Sequence, residues 1–147
     1  MEYVKVDDIM NELKEKLVDS GLFRTVTKAA ITGAENLFRA IPELSAFPAA
    51  IVNCPPQTFP TPGAWRELAV EIIIVDEFLA DDMERKASSA AALLDGVVTM
   101  LTAATPGQSL RLSVGANVTL EDIMALAVDS MHTAWLAECK VHSPIKH

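Results

Sequence analysis

Trp65-Arg66-Glu67-Leu68-Ala69-Val70-Glu71-Ile72-Ile73-Ile74-Val75-Asp76-Glu77-Phe78 is the stretch whose reading decides the fold of this 147-residue chain. Its middle is dense in β-branched residues and holds neither Gly nor Pro, so it is read as a strand. The four consecutive aliphatics at 72–75 make that end apolar on both sides, which marks it as a central strand. The drift from Arg66 and Glu67 to those aliphatics predicts that one end lies under a helix while the other meets solvent or a partner.

Immediately before this strand, Cys54 to Gly63 reads CPPQTFPTPG, with four of the eight prolines in ten residues. Such a segment is stiff and cannot pair centrally, so it is read either as a plain surface loop or as a projecting contact arm, the second being preferred because Phe59 would be its exposed aromatic contact. Further upstream, Phe47 to Asn53 reads as a second strand opened by Pro48. Gly33 to Ile41 is expected to be a short helix halted by Pro42. Leu22 to Ala30 reads as a strand near a sheet edge. The first element is an amphipathic helix over about 7–20, with Asp7 capping its first turn, Gly21 ending it, and Glu12 paired with Lys16 on a solvated face.

Downstream, a long helix begins at Asp81-Asp82, carries the stripe Ala87, Ala90, Ala91, Leu94, Val97, Val98 and Leu101, and closes at Pro106-Gly107. Leu110 to Val114 alternates as a strand. Residues 117–131 admit two readings, a helix capped by Thr119 or a turn at 120–122 followed by a strand, and the second is preferred. His132 to Val141 alternates again, with Trp135, Ala137, Cys139 and Val141 on one side, and hairpins back through Asp129-Ser130; the tail 142–147 is expected to fray. The order predicts a single α+β domain over 1–147, a two-layer sandwich whose mostly antiparallel or mixed sheet carries its helices on one face.

Composition narrows the function classes. Twelve Lys and Arg against twenty Asp and Glu give a net charge of −8, the opposite of a nucleic-acid groove, where phosphate neutralisation supplies most of the affinity. Two Trp, one Tyr and five Phe leave few platforms for unstacked bases. The start, MEYVKVDDIMNELKEKL, lacks a basic segment followed by an apolar one, and no apolar run approaches the roughly 20 residues of a membrane span. Cys54 and Cys139 have no CxxC spacing and are read as reduced thiols.

Catalytic chemistry finds no footing in the motifs. There is no GxSxG, no Gly-rich phosphate loop, and only His132, His142 and His147 are available as imidazole bases, so no catalytic residue and no cofactor is assigned. His132, Cys139 and His142 form the sharpest metal idea, but positions seven apart on a strand point to opposite faces, so no metal is assigned either. Asp81-Asp82, beside Asp76-Glu77, is explained by the exposed N–H groups of a helix start.

An N-terminal amphipathic helix, the strand FPAAIVN, a polar arm, the strand WRELAVEIIIVDEF, the helix AALLDGVVTML and a closing pair of strands ending in AWLAECKV together resemble phage tail terminator, or tail completion, proteins. The resemblance is one of order, length and patterning over nearly the whole chain; the segment GAENLFRAIP departs from it. It implies a structural role without enzymatic activity or cofactor. Copies of the chain, six to a ring, would cap the tail tube, stop its growth and meet the head connector, first in the bacterial cytoplasm and then in the virion tail. DNA would pass the lumen without sequence-specific binding, and an acidic wall would keep it from sticking. A cytosolic adaptor domain outside phages is the alternative, and an enzyme of unrecognised mechanism stands behind that. Phe59, Arg66 and Glu67 are the expected interface residues, with Arg66 and Glu67 setting register between subunits by opposite charge.

Overall fold

The computed structural model describes residues 4–57, 65–77, 83–102, 109–126, 129 and 131–144. Among the described residues three helices, α1 (Val6–Asp19), α2 (Ala34–Ala40) and α3 (Met83–Leu101), accompany six strands. The strands are β1 (Thr25–Ala29), β2 (Ala49–Asn53), β3 (Trp65–Glu77), β4 (Leu110–Arg111), β5 (Asn117–Leu126) and β6 (His132–Pro144). They form one mixed sheet of order β1-β2-β3-β6-β5-β4, in which only β1 and β2 run parallel. This is the α+β class that the pattern of elements predicts.

The quoted stretch is the middle of the sheet, flanked by β2 and β6 along its second half. Alternation sends Leu68, Val70, Ile72 and Ile74 to one face, where they share a core with Ile9, Met10, Leu13 and Leu17 of α1 and Leu93, Val97 and Leu101 of α3. Ile73 and Val75 point the other way, into a second cluster with Leu37 of α2 and Ile41 of the 3-10 turn Ile41–Glu43. Both long helices therefore share one face, and α2 with its 3-10 turn adds a partial layer on the opposite one. That partial layer is why 72–75 has no polar side: each of the four is at most 3% exposed.

α1 begins at Val6, one residue before the expected cap, so Asp7 sits inside the first turn and no side chain caps the end. Its carboxylate lies 2.8 Å from Lys28 Nζ on β1 instead. That ammonium, by hydrogen bond and by charge, holds the Asp7 carboxyl below the ordinary range. The depressed value means this contact contributes above the unfolded carboxyl's pKa and is lost as pH falls through the folded one. Gly21 follows α1 with φ 72°, the left-handed position that favours glycine.

The strand expected over Leu110 to Val114 is only two residues long, because the chain turns at 112–116. Gly115 N–H donates to the Leu112 carbonyl and Leu112 N–H to the Ala116 carbonyl, with Gly115 at φ 95°. Glu12 of α1 holds this turn: its carboxylate accepts the Ser113 and Val114 N–H groups at 2.7 and 3.2 Å. The expected Glu12–Lys16 pair is thus replaced by a contact that ties the first helix to the last third of the chain. Glu12→Ala is expected to cost about 1.5 to 3 kcal/mol, the range for hydrogen bonds to a charged group. Faster amide exchange at Ser113 and Val114, partly restored in Glu12→Gln, checks the tie; unchanged exchange refutes it.

Residues 117–126 form one strand rather than a turn and a strand. The expected break at 120–122 is a bulge, where the register with β6 shifts between Leu120 and Asp122. On α3 the buried stripe is Leu93, Val97 and Leu101, whereas Leu94 is half-buried and Val98 lies on the exposed side. Of the tail, His142, Ser143 and Pro144 complete β6 opposite Glu67, Arg66 and Trp65, and Ser143 is fully buried. Asp81, Asp82 and Pro106-Gly107 lie outside the described residues.

Candidate functional site

The second face of the sheet changes character along β3. Above Glu71 it is apolar and lies under α2; from Glu71 downward it is polar, and β6 and β5 continue the change. Strand register aligns Glu71 with Glu138 and Glu138 with Asp122, so three carboxylates form a row across three strands. Like charges directly opposite one another destabilise a sheet. The next row is Ala69, Lys140 and Thr119, and the one after it Glu67, His142 and Asn117.

Lys140 is the ammonium that organises this surface. Its Nζ lies 3.3 Å from Glu67 Oε1 and 3.5 Å from Glu121 Oε2, the latter on the β5 bulge. The hydrogen bond that Lys140 donates to Glu67 and the charge of Glu121 hold the Lys140 pKa above its ordinary value. Stability from this contact is complete below the unfolded lysine pKa and is lost as pH rises through the folded one. The bulge matters here, because the residue it adds to β5 is the carboxylate that reaches Lys140.

Of the expected interface residues, Glu67 sits on this surface with its charge met inside its own chain by Lys140. Arg66 is on β3 opposite Ser143. Phe59 lies outside the described residues, as does the arm from 58 on. The first four arm residues hug the sheet. Cys54 N–H donates to the Ala29 carbonyl, and the Gln57 amide both donates to the Ala69 carbonyl at 2.8 Å and accepts the Ala69 N–H at 2.9 Å. Gln57 thereby does with a side chain what a neighbouring strand does with backbone.

Asn53, at the junction of β2 and the arm, is 1% exposed and fully bonded. Its Oδ1 accepts the Ile31 N–H at 2.6 Å, and its Nδ2 donates to the Ile31 carbonyl at 3.0 Å and to Glu71 Oε1 at 2.8 Å. One edge of the acidic row is therefore fixed in place by a buried amide.

At the opposite end of the sheet, Asp129 receives the His132 ring Nδ1 at 2.9 Å, and the ring packs on Phe47 with centroids 5.0 Å apart. Burial raises the Asp129 pKa, but the bonds from His132 and from the Met131 N–H outweigh it and hold the carboxyl below its usual range. The pair closes the β5–β6 hairpin. Sequence reading missed it, although the D-x-x-H spacing beside a hairpin turn was the available signal. A shallow cleft of about 570 Å³ opens nearby, lined among others by Arg24, Phe47, Asp76, Glu77 and Ser89.

Cys139 faces the helix-covered core while His132 and His142 sit on alternate positions of the same strand, so the three do not converge. Burial, with the charges of Glu121 and Glu71, pushes the Cys139 thiol up to about 12, where it stays protonated and unreactive. Among the described residues no group of three or more His, Cys, Asp and Glu is placed to hold a metal ion. None of the described helices is long and apolar enough to cross a membrane. No protein-family model matches the chain, and no curated protein matches it significantly.

Proposed function

We propose that this protein is a tail-terminator subunit that assembles into a ring on the end of a phage tail tube, ends its growth and offers the joining surface for the head connector. The observation that carries this reading is the polar half of the sheet's second face. Glu67, Glu71, Glu121, Asp122 and Glu138 stand there against Lys140. A monomer gains nothing from aligning Glu71, Glu138 and Asp122 across adjacent strands. A ring wall past which DNA must slide does gain, since repulsion keeps the polyanion moving. The order of helices and strands, with its long central strand, is in keeping with the resemblance set out above. On this reading the protein acts in the bacterial cytoplasm during assembly and then in the virion tail.

The test is polymerisation of a tail tube protein from the same genome, with and without this chain, followed by electron microscopy. Tubes are expected to become short and uniform, with a ring at one end. Replacing Glu71, Glu138 and Asp122 together by Gln should leave capping intact and slow DNA passage in assembled particles. Tubes of unchanged length, with no end-bound density, would sink the capping role.

A further inference from the structure

We propose that the two free edges of the sheet join copies of this chain head to tail, the β1 edge of one copy adding antiparallel to the outer edge of β5 in the next. For its role this rests on the ring reading above; its geometry comes from the sheet alone.

The strand order puts β1 at one edge. At the other edge β4 pairs only with Asn117 and Val118, so from Thr119 to Leu126 β5 has β6 on one side and no strand among the described residues on the other. A strand edge carries a row of N–H and C=O groups that a second chain can meet. The two edges differ, so their union is heterologous, and a heterologous contact either closes into a ring or grows as a filament. A structure that must end growth needs the ring.

Direction, length and charge each favour β1 as the occupant of the β5 edge. β1 runs with β2, and the antiparallel steps through β3 and β6 leave β5 running opposite to β1. Two copies laid side by side with the same face up therefore meet antiparallel, the pairing with the better hydrogen-bond geometry. β1 is five residues long, and the regular ladder of β5 beyond the bulge, Asp122 to Leu126, offers the same length. With Thr27 set against Met124, Val26 meets Ala125 and Lys28 meets Ile123 on the helix-bearing face.

This sense also brings the Lys28 end of β1 toward Glu121 and Asp122, and the Arg24 end toward Asp129. Pairing β5 with a second β5 about Met124 would instead set Asp122 against Leu126 and bring no basic side chain to Glu121 or Asp122. Met124 is 38% exposed and Met131 63%, both at this end of β5 and its hairpin, an unusual place for large apolar side chains to meet water.

Cross-linking between two singly substituted proteins tests the contact. On a Cys54→Ser background, Thr27→Cys and Met124→Cys place one new thiol each on facing edges, while Cys139 stays buried. Mixed and oxidised together, they are expected to give Thr27–Met124 pairs several-fold in excess over like-with-like pairs, in an oligomer of unchanged mass. A predominance of Met124–Met124 pairs would make the contact two-fold and overturn the proposal. An oligomer that forms without mixed pairs overturns the edge contact and leaves the ring reading standing. A protein that stays monomeric at every concentration, alone and on tail tubes, overturns both.

Discussion

Leu101→Ala is expected to lower the unfolding free energy by about 2 to 5 kcal/mol, the range for emptying a leucine site in a closed core. Leu101 is 0% exposed at the end of α3, in the core that α1, α3 and the sheet share. In a domain whose total stability is of order 5 to 15 kcal/mol, that is a large fraction. The melting midpoint should fall by roughly 2 to 4 °C per kcal/mol for a chain of this size. Leu94→Ala, on the half-buried flank of the same helix, is expected to cost only about 1 kcal/mol, in keeping with the surface it already shows to solvent. Urea unfolding of the pair, with unchanged slope, measures the contrast. Equal losses would mean that α3 is rotated so that Leu94 points inward.

The second large effect is expected at Asn53. Asn53→Ala removes the partner of the Ile31 N–H and carbonyl at once and frees Glu71 from its amide. Leaving buried polar groups unmet costs about 1 to 3 kcal/mol each, so a loss of roughly 2 to 4 kcal/mol is expected once partial access of water is allowed. Asn53→Asp is sharper, because it sets a carboxylate against the Ile31 carbonyl and Glu71. Burial and like charge raise the folded pKa of such a group above its unfolded value. The variant should therefore be weakest at neutral pH and regain stability as pH falls toward the unfolded carboxyl's pKa of about 4. A loss that does not change with pH would show that the aspartate reaches solvent.

What the sequence shows plainly is local. The run at 72–75 announces a central strand apolar on both sides, because nothing polar interrupts it, and the two layers that cover it explain why. The stripe of α1 is equally legible, since Ile9, Leu13 and Leu17 recur at helical spacing and all three are fully buried. What escapes is what two distant segments do together. Glu12 looks like any solvated acid on a helix, and only the fold brings Ser113 and Val114 to it. Leu110 to Val114 alternates like a strand but turns after Arg111, because Gly115 and the Glu12 carboxylate stabilise the turn more than a ladder could. The acidic row is invisible in sequence for the same reason: Glu71, Asp122 and Glu138 are far apart until register aligns them.

The place of β6 bears on how the molecule is made. It is the last strand in the order, yet it lies in the middle of the sheet, joining β3 to β5. While the chain is being synthesised, β1, β2 and β3 can associate, but β5 has no strand to reach them through until His132 to Pro144 has left the ribosome. Until then the whole β6-facing edge of β3, from Trp65 to Glu77, is open, and long-range pairing of that kind forms late. A chain interrupted before His132 therefore loses the centre of the sheet rather than a margin. It is left with β1, β2 and β3 and a long unpaired strand edge on β3, the kind of species that chaperones hold and proteases remove. Only a chain that includes β6 presents β1 and β5 on one sheet, so on the proposed edge contact a subunit truncated before His132 is unable to join its neighbours.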